Sequence, residues 1–174
     1  MLKLLPLTGN HNRNGFDCGI EALNVWLKQT ALQHQSKGIS RTFVAVPADD
    51  ESVAQYQSLG YNDVGKQSIL GFYALASAFV IANDLPAELA KRYPRQVPVT
   101  RLGRLAIRTD LQHQGLGRFL LADALNRAQS AAQVVGSTGL IVDAKNDYAV
   151  RFYQSFGFIE CTEQPFTLFL PWWK

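Results

Sequence analysis

The sequence predicts a mixed α/β domain of the α+β class, on three observations. Strand-like and helix-like patterns alternate along the chain, the composition is globular, and no apolar run is long enough to cross a membrane. Hydrophobic residues make up 47% and charged residues 18% of the 174, which excludes a disordered chain. That length fits one domain, expected to span residues 1–174 and able to bury a core without disulfides. A bilayer span needs roughly 18–20 apolar residues, and the start, Met1-Leu2-Lys3-Leu4-Leu5-Pro6, is too short for a signal peptide. A cytoplasmic protein is expected.

The elements follow in order. Leu2 to Leu7 suits a short strand, and Gly9 to Gly15 a polar loop. Asp17 is the expected N-cap of a helix from Gly19 to Gln35, on whose face Leu23, Trp26, Leu27 and Ala31 recur at helical spacing. Arg41 to Val46 has the β-branched and aromatic content of a strand, closed by Pro47. Ala48 to Lys66 is polar and reads as a long exposed hairpin loop. Ile69 to Val80 suits a buried strand, and Leu85 to Tyr93 a short helix with Pro86 in its first turn. Val97 to Ile107 is a strand, Gly115 to Gln133 a helix, Gly139 to Asp143 a buried strand and Asp147 to Phe156 a helix. Gly157-Phe158-Ile159 begins another strand, and Phe166 to Leu170 supplies the last.

Cys18 and Cys161 lie far apart without metal-ligand spacing, so free thiols and no bound metal are expected. The net charge of +3 is mild, but Lys91, Arg92, Arg95, Arg101, Arg104, Arg108 and Arg118 concentrate basic charge in mid-chain. By charge alone this is either a solvated face or an attractant for a phosphate-rich partner.

The unit richest in chemistry is strand, then Gln112-His113-Gln114-Gly115-Leu116-Gly117, then helix. A helix start carries unpaired N–H groups and partial positive charge, and glycines let backbone approach a phosphate closely. Arg118 adds a cation. Gly117 is followed by Arg118-Phe119 where a Walker loop needs Lys and Ser or Thr, and the spacing departs from a dinucleotide fingerprint. A turn needing glycine only for its geometry remains the plain alternative.

Arg104-Leu105-Ala106-Ile107-Arg108 followed by Gln112 to Gly117 resembles the acetyl-CoA signature of the GNAT superfamily of N-acetyltransferases. Asn146 with Ala149 to Phe158, including Phe152-Tyr153 and Gly157-Phe158, is similar to that family's second segment. The resemblance implies a mostly antiparallel central sheet, flanked by helices and splayed at a bulge in the strand before the loop. It implies acetyl-CoA bound by the backbone of Ala106 and Ile107, by Gln112, His113, Gln114, Gly115, Leu116, Gly117 and Arg118 at the pyrophosphate, and by Asn146. A backbone N–H near Ala106 and Ile107 would meet the oxyanion. Tyr153 would be the general acid toward the leaving thiolate, with an ordinary phenol near 10. No residue stands out as a base: His34, His113 and Asp143 are weak candidates.

The first half narrows the resemblance. Phe16-Asp17-Cys18-Gly19 with Leu23, Asn24, Trp26 and Leu27, then Ser40 to Val44, Gly71 to Ala76, and Pro165 to Pro171, are similar to the GNAT-type toxins of toxin–antitoxin modules. That resemblance implies acetylation of the α-amino group on aminoacyl-tRNA, arrest of translation, a ribbon-helix-helix antitoxin and a homodimer. Arg41, Lys91, Arg92, Arg95 and Arg101 are then the candidates for tRNA phosphates. Acetylation of a small amine or a protein N-terminus is the alternative. Two departures stand out: Asn24 where an aspartate is usual, and a 48–66 loop longer than in many relatives, which borders no assignable motif. Trp172-Trp173 suits either packing or a partner surface.

Overall fold

The computed structural model describes residues 1–173. Its seven strands form one sheet in the order β1-β2-β3-β4-β5-β7-β6. The chain divides into two compact units, one of Met1–Ala74 with Arg104–Asp123, the other of Leu75–Gly103 with the segment from Ala124 on.

In the first unit, β1 (Leu2–Pro6) pairs antiparallel with β2 (Arg41–Pro47), Leu2 opposite Pro47 and Pro6 opposite Phe43. The expected single helix is two, α1 (Glu21–Gln29) and α2 (Ala31–Ser36), broken at Thr30. Thr30 has φ −119°, far from the usual helical value of about −63°, though its N–H still reaches the Trp26 carbonyl at 2.9 Å. A β-branched side chain crowds the preceding turn, so the break falls where helix propensity is weak. The apolar face survives it: Trp26, Leu27 and Ala31 are buried with Phe16, Val44 and Phe72 in one cluster.

The expected hairpin loop from Ala48 to Lys66 instead contains a helix, α3 (Asp50–Ser58). Asp49 caps it, its carboxylate accepting from the Ser52 N–H at 2.8 Å and the Ser52 hydroxyl at 2.7 Å. Only Ser52 and Tyr56 are buried along it, so its apolar stripe is too thin to show as periodicity. β3 (Gly71–Ile81) and β4 (Gln96–Ile107) follow, and α5 (Leu116–Ala132) starts just beyond the glycine motif.

In the second unit, the expected helix of Leu85 to Tyr93 shrinks to α4 (Ala87–Ala90). The residue before Pro94 is kept out of helical conformation, and the chain turns there instead. β4 pairs parallel with β5 (Gly139–Asp143), Thr100 to Leu102 lying opposite Leu140 to Val142. β7 (Gln164–Pro171) runs antiparallel to β5 on one side and to β6 (Ile159–Cys161) on the other. α6 (Asp147–Gln154) lies between β5 and β6 in sequence. Leu85, Leu89, Val97, Val99, Ile141 and Phe169 share this unit's core. The backbone N–H of half-buried Trp172 donates to the Thr138 carbonyl at 2.9 Å, while Trp173 is exposed.

Candidate functional site

β4 delivers the chain to the glycine motif with Ala106 buried and Ile107 half-buried. Arg108 donates its N–H to the Leu70 carbonyl, a single 3₁₀ turn spans Thr109–Leu111, and Gln112 is extended. His113 then takes φ +64° and Gly115 φ +85°. The left-handed region is uncommon for a side-chain-bearing residue, so His113 stores local strain at this point of the chain. A Cβ built on Gly115 meets nothing within 4 Å, so open space lies beside the turn into α5. Backbone N–H groups in such a turn, at the start of a 17-residue helix, have the geometry that suits an anion.

The side chains around this loop turn to its own framework. The Arg108 guanidinium is 8% exposed, donates twice to Asp110 at 2.8 and 2.6 Å, and reaches Asp63 at 3.2 Å. The Asp110 bond raises the Arg108 pKa and holds the Asp110 carboxyl below its ordinary range. Arg108 therefore leaves the set of cations open to a phosphate partner. Tyr61 donates to the Asp110 carbonyl at 3.3 Å and accepts from Gln114 Nε2 at 3.3 Å. Tyr61 and Asp63 sit just past α3, so the 48–66 segment does border the motif. Their contacts span 45 to 53 residues of sequence, and no local pattern announces them.

Gln112 is engaged as well. Its amide donates to the Ile107 and Cys18 carbonyls, both at 3.0 Å. Asp17 is not the N-cap: Ile20 holds that position without a side-chain bond, and the Asp17 carboxylate instead accepts from the Gly19 N–H and from Asn24, both at 2.9 Å. Those bonds, Gly19 first, hold its carboxyl below the usual range. Cys18 is buried and unbridged.

In the second unit, Asn146 is the N-cap of α6, its oxygen accepting from the Ala149 N–H at 2.9 Å. Two turns on, Tyr153 is 9% exposed, with Phe152 and Phe158 edge-on at 5.3 and 5.4 Å. Burial pushes its phenol up to about 12, above the ordinary value expected. Asp143 accepts from Arg101 at 2.9 Å and from Thr167 at 2.8 Å, which occupies a weak base candidate and ties down one tRNA candidate. Burial and the neighbouring Asp84 and Asp143 push the Cys161 thiol up to about 11. Lys91, Arg92 and Arg95 are exposed there, as Arg41 is in the first unit. Arg104 in the first unit lies 4.0 Å over the Trp26 ring, and His34 meets the same ring edge-on. Among the described residues no group of His, Cys, Asp and Glu could hold a metal, and no helix is long and apolar enough to cross a membrane.

Known proteins are similar to this chain in sequence and in fold. Residues 87–167 match the family model of the acetyltransferase (GNAT) domain. A tRNA-acetylating toxin of Mycobacterium tuberculosis is 34% identical over 155 residues, covering 89% of this chain and 82% of that protein. The structure of AtaT complexed with acetyl-methionyl-tRNAfMet superposes with a TM-score of 0.82 at 32% identity, over 98% of this chain and 95% of that one. A tyrosine-to-phenylalanine variant of AtaT, bound to the C-terminus of the antitoxin AtaR and acetyl-CoA, gives 0.73 at 31% identity, over 98% and 92%. The chain is an N-acetyltransferase and belongs to the GNAT acetyltransferase family, in the group that includes the tRNA-acetylating toxins.

Proposed function

We propose that the chain is the toxin of a toxin–antitoxin module and transfers acetyl from acetyl-CoA to the α-amino group of an aminoacyl-tRNA, blocking translation. The observation that carries this reading is the turn from β4 into α5, with His113 and Gly115 left-handed and open space at the Gly115 Cβ, in a chain similar end to end to AtaT. Backbone N–H groups of Gln112 to Arg118 would seat the pyrophosphate. The side chains of Gln112 and Gln114 bond the surrounding framework, so their part is to shape the seat.

Ala106 and Ile107 would offer backbone to the pantetheine arm, as an added strand does. Burial along β4 supports a bulge before them: it alternates at Val97 and Val99, then shifts phase to Leu102. Asn146 has its amide nitrogen left for the arm, its oxygen being the helix cap.

The reaction is attack of the neutral amine on the thioester carbonyl. The carbonyl oxygen gathers charge that a backbone N–H near Ala106 and Ile107 would meet. As the C–S bond breaks, the sulfur takes a proton from the Tyr153 hydroxyl, while the proton shed by the acylated nitrogen passes to water, from which Tyr153 is reprotonated. A phenol at about 12 sits roughly 3.5 units above a thiol near 8.5, so full transfer is uphill by about 5 kcal/mol. Tyr153 therefore acts chiefly by donating a hydrogen bond to the thiolate as it forms, and the proton follows. An aminoacyl ester amine is less basic than a lysine, which fits a site without an evident base.

Lys91, Arg92, Arg95 and Arg41 would meet tRNA phosphates, Arg101 only at the expense of its pair with Asp143. A ribbon-helix-helix antitoxin, a homodimer and a cytoplasmic location complete the reading, with Phe79 and Ile81 exposed on β3 as apolar surface for a partner. The test is expression in growing bacteria: wild type should arrest growth and Tyr153→Phe should not. Normal growth with an enzyme active on small amines or protein N-termini would replace this reading with the alternative.

A further inference from the structure

The loop that begins after β4 rests on two backbone carbonyls of the segment leading into α1. The Asp17 carbonyl accepts both the N–H and the hydroxyl of Thr109, at 2.9 and 2.8 Å. The Cys18 carbonyl accepts the Gln112 amide at 3.0 Å, and the same nitrogen donates to Ile107 at the end of β4. Whatever fixes Asp17 and Cys18 therefore fixes where the loop starts.

Asn24 fixes them. It is 4% exposed, so its carboxamide has no water to fall back on. Its oxygen accepts from the Cys18 N–H at 2.9 Å and its nitrogen donates to the Asp17 carboxylate at 2.9 Å. The same Asp17 oxygen accepts from Gly19, whose φ of +86° turns the chain toward α1. Position 24 must supply one acceptor and one donor while position 17 is a carboxylate, which an amide does and an ionised carboxylate does not. An aspartate at 24 would keep the acceptor, lose the donor and bring two carboxylates to hydrogen-bonding distance.

We propose that Asn24 and Asp17 are a matched amide–carboxylate pair that sets the acetyl-CoA loop through Thr109 and Gln112, which makes Asn24 a positioning residue for cofactor binding. The proposal rests on the reading of that loop as the acetyl-CoA seat. It also gives the departure at Asn24 a cause: an aspartate fits there when residue 17 can donate. The pair can then be exchanged. With Asp17→Asn and Asn24→Asp together, the amide at 17 can accept from Gly19 and donate to 24 after a small turn of its exposed side chain, and the carboxylate at 24 still accepts from Cys18.

Acetyl-CoA titration calorimetry on the wild type, Asn24→Asp, Asp17→Asn and the double variant tests this, with steady-state kinetics beside it. Asn24→Asp is expected to weaken acetyl-CoA binding about tenfold or more and to raise its KM with kcat little changed. The double variant is expected within about threefold of wild type. Equal loss in the single and double variants, or wild-type affinity in Asn24→Asp, overturns the pairing. A lowered thermal midpoint with unchanged Kd and KM overturns it too, since that is scaffold alone. If Asn24→Asp does not fold, Thr109→Val carries the test: removing the hydroxyl bond to Asp17 should weaken binding by about threefold, and unchanged affinity counts against the latch. No acetyl-CoA binding by the wild type defeats the acetyl-CoA reading itself, and the latch with it; binding by wild type with Asn24→Asp unaffected defeats the latch alone.

Discussion

The loop after β4 and the helix that carries Tyr153 are held by opposite means. Around the loop, Tyr61, Asp63, Arg108, Thr109, Gln112 and Gln114 spend their polar atoms on one another and on backbone. Tyr153 has aromatic rings on its flanks, and α6 is anchored at its start by one cap from Asn146. On the proposed reading the loop binds its ligand mainly with backbone, so it needs geometry, which directional hydrogen bonds supply. On the same reading the tyrosine must stay protonated until a thiolate forms, which apolar burial favours. Binding and chemistry are therefore expected to fail separately.

The largest separation comes from Tyr153→Phe. It should lower kcat about 10²–10⁴-fold while acetyl-CoA Kd stays at wild type, and a parallel change in Kd would show that the ring mainly shapes the binding site. Next is the acceptor side. Replacing Lys91, Arg92 and Arg95 with alanine should weaken tRNA binding and leave acetyl-CoA affinity unchanged. The log–log salt dependence of tRNA binding should flatten by about one unit for each phosphate no longer neutralised. An unaltered salt slope would return these residues to an ordinary solvated face.

Smaller effects sharpen the tyrosine half. Asn146→Ala should cost about 1 kcal/mol and lower the thermal midpoint by about 2–4 °C, with Asn146→Asp retaining most of it, if capping is the main role. A loss of acetyl-CoA affinity in Asn146→Asp would instead point to the amide nitrogen. The phenol makes a pH prediction as well. An unfolded chain ionises its tyrosines near 10, whereas folded Tyr153 does so near 12. Its contribution to stability should be complete below pH 10 and fade as pH rises through 12. The thermal midpoint of wild type should accordingly fall relative to that of Tyr153→Phe as pH rises from 10 to 12, and an unchanged difference would contradict the raised phenol.

What is legible in the sequence is what is local. Gln112 to Gly117 and Phe152-Tyr153 carry their meaning in adjacent residues, and the strands of the second unit are visible as apolar runs. α3 escapes because Val53 and Tyr56 are nearly its only apolar residues, although Asp49 and Ser52 stand at capping distance. Asp17 has the composition of an N-cap and is not one, because Asn24 competes for its carboxylate seven residues later. Arg108 counts as free positive charge by composition, although its main partner Asp110 stands only two residues on and folding adds Asp63 across 45 residues. Formal charge records a side chain's sign and nothing of its partners. The acceptor is legible only through resemblance, since exposed lysines and arginines look alike whether they meet water or phosphate.

The most direct test of the central claim is to incubate purified chain with acetyl-CoA and a pool of charged tRNAs, then identify the amino acid ends by mass spectrometry. The account predicts acetyl groups on the α-amino nitrogen of at least one aminoacyl-tRNA with wild type and none above background with Tyr153→Phe. Charged tRNA left unmodified by an enzyme that acetylates free amines or protein N-termini in the same mixture would contradict it.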